Sequence, residues 1–331
     1  MTRVLVTGGA GYIGSTLVSM LVEKGYRVRV LDVCYFGQKP LSDVIDKIDL
    51  IKNDIRTVNH NILDGIDAVI DMAAISNDPS GELNPISTFD INWIARSRIA
   101  NLAKLKGVDR YLLASSCSVY GFQDGILSEM SHTNPLTTYA KSNVLWENDA
   151  LKLADKKFSV TSLRQATVYG LSKRMRFDLA INTMVLSCFK DGNIVIDGDG
   201  TQYRPFVHVR DTASVFIKLL EADKEEINGE IFNVGSNEQN FEIKNLARTI
   251  ANAISSRKKI KIEFNSEKKD KRSYRVEFGK IKKMLNFRPK YTPQDGAREI
   301  YDALSNGTLR DELKMHTVNW LKSKDLNITK C

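Results

Sequence analysis

The stretch Thr7-Gly8-Gly9-Ala10-Gly11-Tyr12-Ile13-Gly14 sets the architecture of this chain. It follows a short apolar run, Arg3 to Thr7, that predicts a buried strand, and it opens a segment, Ile13 to Lys24, with helical apolar spacing. Glycines at this spacing permit a tight turn, let the backbone approach a pyrophosphate and let the helix pack closely against the strand. The stretch therefore predicts a dinucleotide site formed by Gly8, Gly11, Tyr12, Ile13 and Gly14.

A single carboxylate specifies the kind of dinucleotide. Asp32 ends the second predicted strand, Arg27 to Asp32, and it lies 18 residues beyond Gly14. A carboxylate at this point accepts hydrogen bonds from the ribose hydroxyls of adenosine and repels a 2′-phosphate. The expected cofactor is therefore NAD and not NADP.

Strand and helix patterns alternate through the first two-thirds of the chain, which indicates βαβ units and a parallel sheet covered on both faces. The further predicted strands are Ala68 to Met72, Tyr111 to Ser115 and Ser159 to Arg164, and the further predicted helices are Thr88 to Lys106 and Tyr139 to Asp155. After about residue 170 the pattern loosens, with a helix near Asp178 to Lys190. We expect residues 1–170 plus about 206–234 to form the cofactor domain, and 171–205 plus about 235–331 to form a smaller, interleaved substrate lobe.

Composition restricts the class of protein. The 331 residues include 48 basic and 40 acidic side chains, and much of the excess lies in Arg257 to Lys261 and Lys268 to Arg275. These patches carry no nucleic-acid-binding motif, so we expect no nucleic-acid partner but a solvated surface or a field that attracts an anionic substrate. No apolar run reaches the ~20 residues of a membrane span, and the N-terminus is unlike a signal peptide. We therefore expect a cytoplasmic protein.

The four cysteines, at positions 34, 117, 188 and 331, lie far apart and form no metal-ligand pattern. They predict free thiols in a reducing compartment, and we expect no metal site.

Several short motifs, taken in order, resemble those of extended short-chain dehydrogenases/reductases of the NAD-dependent nucleotide-sugar epimerase and dehydratase type. The glycine turn resembles the TGxxGxxG motif of this family, Asp54-Ile55 its adenine-contacting pair, and Ala73-Ala74 the small pair beside the pyrophosphate and nicotinamide ribose. Asn92 is similar to a helix asparagine that braces the active site. The resemblance covers nearly the whole chain and implies a Rossmann-type doubly wound sheet.

The same resemblance implies the catalytic residues. Ser116 in Ala114 to Gly121 matches the serine at the end of a strand, and Tyr139 in Tyr139-Ala140-Lys141-Ser142-Asn143 matches the tyrosine of the YxxxK helix. Oxidising a sugar alcohol requires a base that removes the hydroxyl proton while hydride leaves carbon. A tyrosinate can do this if its pKa falls from ~10 toward neutrality.

This sequence departs from the family at one decisive position. Asn143 stands where the family has a lysine that lowers the pKa of the tyrosine and binds the nicotinamide ribose. Lys141 cannot replace it, because a two-residue offset points ~200° around the helix. A cation ~4 Å away is worth roughly 4 kcal/mol at an effective dielectric of 20, or about three pKa units. Asn143 can still hydrogen-bond the ribose, so we expect cofactor binding but slow turnover.

The residues after Ser116 restrict the reaction. Dehydratases of the family carry Asp-Glu directly after the catalytic Thr, but this chain has Cys117 and Ser118, which disfavours 4,6-dehydration. A related subgroup uses a cysteine for epimerisation, one residue beyond Cys117. Successive strand residues face opposite ways, so we expect Cys117 to be a small core residue.

The substrate contacts are also implied by resemblance. Leu163 to Gly170 is similar to an RxxNVYG segment with Thr167 for asparagine, and Gly198 to Val209 is similar to a GDGxQxRxFxHV segment whose arginine binds the diphosphate. We expect His208 to be structural. The implied substrate contacts are Ser76, Asn77, Thr167, Asp178, Asn182, Arg204 and Arg272.

The implied activity is redox chemistry at C4 of a nucleoside-diphosphate sugar, by a 4-dehydrogenase or a 4-epimerase. A GDP- or UDP-linked hexose or heptose for surface polysaccharide is the expected substrate range. The alternative is a non-catalytic protein that binds NAD or a nucleotide sugar, for which the missing lysine is the main argument. The family also implies a homodimer, or a higher homo-oligomer, formed through the helices Thr88 to Lys106 and Tyr139 to Asp155.

Overall fold

A computed structural model describes residues 1–267 and 273–323. The strands are β1 (Arg3–Thr7), β2 (Arg27–Asp32), β3 (Ile48–Lys52), β4 (Ala68–Asp71), β5 (Arg110–Ser116), β6 (Phe122–Leu127), β7 (Ser159–Gln165), β8 (Thr167–Tyr169), β9 (Asn193–Asp197), β10 (Tyr203–His208), β11 (Ile231–Val234), β12 (Asn240–Glu242), β13 (Lys261–Asn265) and β14 (Ser273–Val276). The α-helices are α1 (Tyr12–Glu23), α2 (Asp78–Gly81), α3 (Pro85–Phe89), α4 (Arg96–Leu105), α5 (Thr138–Leu151), α6 (Ala180–Asp191), α7 (Val209–Glu221), α8 (Lys224–Ile227), α9 (Ile243–Ile254), α10 (Gly279–Leu285), α11 (Pro293–Ser305) and α12 (Thr317–Ser323). Short 3-10 segments cover Lys39–Lys47, His60–Leu63, Cys117–Tyr120, Asn237–Gln239 and Leu313–Met315, and a π-helical segment covers Asp90–Ala95.

The main sheet has seven parallel strands in the order β11-β7-β5-β4-β1-β2-β3. The order reverses between β1 and β4, and ligands of such sheets bind in the crevice outside the carboxyl ends of the strands at this point. The predicted α/β, Rossmann-type doubly wound sheet is therefore confirmed. The reversal places the glycine turn after β1 and the segment after β4 at one crevice.

Both faces of the central strands are buried, which explains why β1 and β4 are apolar without strict alternation. Val4 and Val6 of β1 pack into one layer together with α1 and α7, whereas Leu5 packs into the opposite layer together with α4 and α5. A further cluster joins α6, α9 and α11, outside the main sheet. The lobe boundaries drawn from the sequence stay a prediction.

Two predicted helices differ from the observed ones at their starts. The segment predicted from Thr88 begins already at Pro85 and contains the π-helical segment. The helix predicted near Asp178 begins at Ala180, so Asp178 lies in the preceding loop. Helix α5 starts as predicted within one residue, because the Thr137 hydroxyl accepts a hydrogen bond from the backbone N–H of Ala140 and caps it. No helix in the described ranges is long and apolar enough to cross a membrane.

Candidate active site

A cavity of about 630 Å³ lies at the carboxyl ends of β1, β2, β4 and β5 and is also lined by residues of α6, β8 and β10. Most of the residues that the sequence singled out lie on its wall. These are Gly8, Gly11, Tyr12, Ile13, Gly14, Asp32, Asp54, Ile55, Ala73, Ala74, Ser76, Asn77, Ser116, Tyr139, Thr167, Asp178 and Arg204. Asn143 and Asn182 do not line it, and Arg272 lies outside the described residues.

Two positions of the glycine turn, Gly8 and Gly14, exclude a side chain. Gly8 has a φ of 70°, and a Cβ at Gly14 would lie 2.2 Å from the carbonyl oxygen of Gly8. Gly11 is the N-cap of α1, and neither a capping side chain nor an acidic residue occupies the first turn of this helix. Its N–H groups are thus available to an anionic diphosphate, as NAD requires.

Asp32 holds the turn in place as well as facing the cavity. Its carboxylate accepts hydrogen bonds from the backbone N–H groups of Ala10 at 3.0 Å and Cys34 at 2.7 Å. Burial raises the pKa of Asp32, and these two hydrogen bonds oppose the rise. The remaining lone pairs of an ionised carboxylate suit ribose hydroxyls.

The pair Asp54-Ile55 is held by contacts within the protein, and its contact with adenine stays a prediction. The Asp54 carboxylate forms an ion pair of 2.8 Å with Arg56, and Ile55 is buried in the layer beneath the sheet. Both residues nevertheless line the cavity.

Ser116 and Tyr139 come from two different elements and meet at the same wall. Ser116 ends β5, and its Oγ accepts a hydrogen bond of 3.1 Å from the backbone N–H of Ser118. Tyr139 lies in the first turn of α5. Burial raises the pKa of Tyr139, and the carboxylate of Asp78 raises it further, whereas the neighbouring Asn143 and Ser116 side chains and the charge of Arg96 lower it.

The structure corrects the expected position of Asn143. Its side chain is only 1% exposed and lies beside Tyr139 and not on the cavity wall. Neither amide atom meets the full geometry of a hydrogen bond within residues 1–267 and 273–323, although the amide lies close enough to the Tyr139 hydroxyl to lower its pKa. Direct contact between Asn143 and a ribose is therefore not supported by the geometry.

Asn92 has the bracing position expected of it. Its amide accepts a hydrogen bond from Ile75 N–H at 2.8 Å and donates one to the Ile75 carbonyl at 3.1 Å and another to the Ser142 hydroxyl at 3.3 Å. It thereby ties the segment after Ala73-Ala74 to α5.

An arginine that the sequence did not single out organises the predicted substrate contacts. Arg176 forms an ion pair of 2.7 Å with Asp178 and donates to the carbonyl of Ser76 at 3.1 Å, and Asn77 donates to Asp178 at 2.7 Å. Burial alone would raise the pKa of Asp178, but Arg176 outweighs it and the pKa is lowered. The only sequence signal was a pair of arginines, Arg174 and Arg176, before a helix.

Asn182 contacts other groups of the protein, and this corrects its predicted contact with the substrate. Its side chain is fully buried, accepts a hydrogen bond from the N–H of Gly170 at 3.0 Å, and donates to the Tyr12 hydroxyl at 3.0 Å and to the Arg176 carbonyl at 2.9 Å. All of its polar atoms are engaged by the protein itself.

Arg204 and Thr167 reach the cavity from the paired strands β10 and β8. The Arg204 guanidinium donates to the carbonyl of Tyr203 at 2.7 Å and lies 5.0 Å from the ring of Tyr274. His208, on the same strand, is fully buried and contacts Glu299 at 2.7 Å, as a structural histidine does.

Cys117 is a core residue, as expected. It is 1% exposed, its thiol donates to the carbonyl of Arg164, and burial raises its pKa.

This chain is similar to nucleotide-sugar enzymes of one family. Residues 4–235 match the model of the NAD dependent epimerase/dehydratase family. A putative UDP-glucose 4-epimerase of Methanocaldococcus jannaschii is 31% identical over 234 residues, which cover 68% of this chain and 75% of that protein. A UDP-N-acetyl-alpha-D-glucosaminuronate decarboxylase of Bacillus cytotoxicus is 28% identical over 313 residues, which cover 90% and 96%.

Solved structures agree with these relatives. The structure of MoeE5 in complex with UDP-glucuronic acid and NAD superposes with a TM-score of 0.81 at 27% identity, covering 92% of this chain and 99% of that one. A dTDP-glucose 4,6-dehydratase from Streptomyces venezuelae, solved with NAD, gives a TM-score of 0.80 at 26% identity, covering 93% and 98%.

Proposed function

The chain belongs to the NAD-dependent epimerase/dehydratase family and is an NAD-dependent nucleotide-sugar enzyme, and from this we propose that it acts at C4 of a UDP-linked sugar. The observation that carries the proposal is the meeting of Ser116 and Tyr139 on one wall of the cavity that also contains the glycine turn and Asp32. Within the predicted range of GDP- and UDP-linked sugars, the UDP-sugar names of the relatives support UDP.

The residues present fit the cofactor. The uncapped first turn of α1, the glycines that a Cβ would fill and the carboxylate of Asp32 match a diphosphate and a ribose. We assign Gly8, Gly11, Gly14, Asp32 and Ala73 to holding it. NAD, when bound, supplies the acceptor for a hydride and returns that hydride later.

The proton is handled by two side chains of the protein. Tyr139 Oη removes the proton of the C4 hydroxyl and gives it back when the ketone is reduced. Ser116 Oγ already accepts from the Ser118 N–H, so its own hydrogen is left to donate to the sugar oxygen. Arg204 is assigned to the diphosphate, for which a guanidinium is suited.

We favour a 4-epimerase over a 4-dehydrogenase. Both begin with the same oxidation, but an epimerase retains the ketosugar and returns hydride to its other face. The relative of Methanocaldococcus jannaschii supports the epimerase. Dehydration stays disfavoured, because Cys117 is in the core and Ser118 is no carboxylate base.

The test starts with the dinucleotide that co-purifies with the protein, released by denaturation and identified by mass spectrometry. Native enzyme is then incubated with UDP- and GDP-linked hexoses, hexuronates and heptoses, and the products are identified by NMR while absorbance near 340 nm is followed. We expect bound NAD, interconversion of C4 epimers and no net NADH. Accumulating NADH with a released 4-ketosugar would favour the 4-dehydrogenase, and the absence of any product across the panel would refute C4 chemistry.

Three further expectations stay predictions. They are a homodimer formed through α4 and α5, a cytoplasmic location, and a role in surface polysaccharide.

A further inference from the structure

A fully buried cation lies behind the catalytic wall. Arg96, the first residue of α4, is 0% exposed. Its Nε donates to the Asp71 carboxylate at 3.1 Å, and its Nη2 donates to the backbone carbonyls of Asp71 at 2.8 Å and Ala114 at 3.4 Å. Burying a charged guanidinium costs desolvation free energy, so a buried arginine at this position points to a role for its charge.

The contacts of Arg96 tie it to both elements that carry the proposed catalytic pair. Ala114 lies two residues before Ser116 on β5, and residues so spaced share one face of a strand. The guanidinium carbon lies 3.2 Å from the ring centroid of Trp146 on α5. Tyr139, Asn143 and Trp146 follow each other at spacings of four and three residues, so they share one face of α5. Arg96 therefore packs on the helix face that bears Tyr139.

Hydrogen-bonding capacity is left unused at the same place. Arg96 Nη1 has no hydrogen-bond acceptor among the described residues, and the Asn143 amide, which lies beside the Tyr139 hydroxyl, has no partner there with full hydrogen-bond geometry. The carboxylate that pairs with Arg96 is shared, because Asp71 also accepts hydrogen bonds from the Thr7 hydroxyl at 2.6 Å and the Tyr111 hydroxyl at 2.8 Å.

We propose that Arg96 is a positioning residue that supplies, from α4, the positive charge that the family places on α5 at the position of Asn143. In this role it stabilises the tyrosinate form of Tyr139 through the packed interface of β5, α4 and α5. The inference rests on the proposed function, in which Tyr139 is the base. The sequence alone predicts slow turnover, because the lysine is missing at position 143. If Arg96 supplies the positive charge, the missing lysine does not remove it.

The other charged groups near Tyr139 differ in their effect on its pKa. Asp78, on α2, raises the pKa of Tyr139, as burial does, whereas Arg96 lowers it. Arg176 also interacts with Tyr139, and it is paired with Asp178 at 2.7 Å as Arg96 is with Asp71 at 3.1 Å, so variants of Arg96 and Asp71 are needed to separate the two cations. Of the remaining charged groups around the start of α5, Glu82 is an anion that accepts a hydrogen bond from the Thr138 N–H, and Lys141 is exposed to solvent.

The test compares R96Q, R96K and the double variant R96Q/N143K with the wild-type holoenzyme. The pKa of Tyr139 is measured by ultraviolet titration of the phenolate, as the difference between each protein and the same protein carrying Tyr139→Phe. The acid limb of the pH profile of kcat/KM is measured in parallel. We expect R96Q to raise the pKa and to move the limb upward by about one pH unit. R96K and the double variant should restore both values, since each returns a cation to the interface.

Asp71→Asn separates this role from simple scaffolding. If Arg96 acts through its charge, loss of its counter-ion should move the limb to lower pH, opposite to R96Q. If Arg96 only holds the fold, both variants break the same ion pair and should act alike. The proposal would be overturned if the phenolate pKa of R96Q equals that of the wild type. It would also be overturned if R96Q and R96K have the same acid limb in the pH profile of kcat/KM. Should R96Q fail to fold, the direction seen in Asp71→Asn decides.

Failure of the proposed function would look different. Full activity in Tyr139→Phe would remove Tyr139 as the base, yet the phenolate titration would still report whether Arg96 acts on it.

Discussion

The side-chain amide of Asn182 donates a hydrogen bond of 3.0 Å to the hydroxyl of Tyr12, and it joins α6 to the first residue of α1. Tyr12 Oη in turn donates to the Gly170 carbonyl at 2.6 Å, and Asn182 accepts from the Gly170 N–H. Burial raises the pKa of Tyr12, so the hydroxyl stays protonated and can donate. This closed set of bonds fixes the helix that carries the glycine turn against the chain that follows β8.

Asn182→Ala should therefore lower the free energy of unfolding by roughly 1–3 kcal/mol, the range for leaving buried polar groups without partners. In a double-mutant cycle with Tyr12→Phe, the two effects should not add, because they share one bond. Chemical denaturation measures this, and Asn252→Ala on the exposed side of α9 is the control. Strict additivity would contradict the coupling.

Tyr139→Phe and Ser116→Ala should each reduce kcat by about 10²- to 10⁴-fold, the usual contribution of a positioned acid–base group. The single-turnover change at 340 nm measures the hydride step itself. Tyr301→Phe removes a hydroxyl from a buried tyrosine of α11, outside the main sheet, and should leave kcat unchanged. A loss of less than about threefold in Tyr139→Phe would rule out this tyrosine as the base.

Asn143→Lys should increase turnover at neutral pH and move the acid limb of kcat/KM to lower pH. The reason is that an ammonium beside Tyr139 adds to the charge of Arg96 and further lowers the pKa of the phenol. The expected shift is about one unit or more. Asn101→Lys places the same charge on the exposed face of α4, and it should have no effect. Equal profiles in the wild type and Asn143→Lys would contradict the charge argument.

Arg204→Ala should raise the KM for the nucleotide sugar by about 10- to 100-fold with a smaller change in kcat. This corresponds to losing one charge-assisted contact of roughly 1.5–3 kcal/mol that is made equally in the ground and transition states. Steady-state kinetics and calorimetric titration with UDP measure it. Arg248→Ala, an exposed arginine of α9, is the matched control. A fall in kcat alone would assign Arg204 to the chemistry and not to binding.

The acid stability of the protein should depend on Asp178. Because Arg176 holds its pKa below the ordinary value of 3.8, ionised Asp178 stabilises the fold above that value. This contribution is lost as the pH falls through the lowered pKa. Asp178→Asn should cost roughly 3–5 kcal/mol at pH 7, since it leaves the buried Arg176 without its counter-ion.

The measurement is Tm against pH between 7 and 2. The difference in Tm between the wild type and Asp178→Asn should become smaller at acid pH. The exposed control Asp124→Asn should have the Tm of the wild type at every pH. A difference in Tm that stays constant with pH would mean that Asp178 stabilises the fold by packing and not by its charge.

The sequence by itself determined the parts of this protein that depend on neighbouring residues. The turn at Gly8 and Gly14 follows from local sterics, because a Cβ at Gly14 cannot fit beside the Gly8 carbonyl. Asp32 follows from its place at the end of the second strand, and Ser116 and Tyr139 from short motifs with fixed spacing. The central strands β1 and β4 were predictable because burial on both faces leaves a continuous apolar run.

Only the tertiary structure decided which polar side chains face the cavity and which face the protein. Asn182 is 170 residues from Tyr12, and Arg176 is 100 residues from Ser76, so no local spacing links either pair. Asn143 is one helical turn beyond Tyr139 and yet is buried, and Arg96 meets α5 only because β5 and α4 bring it there. The direction in which a polar side chain finds its partner is set by long-range packing, and a one-dimensional pattern does not contain it.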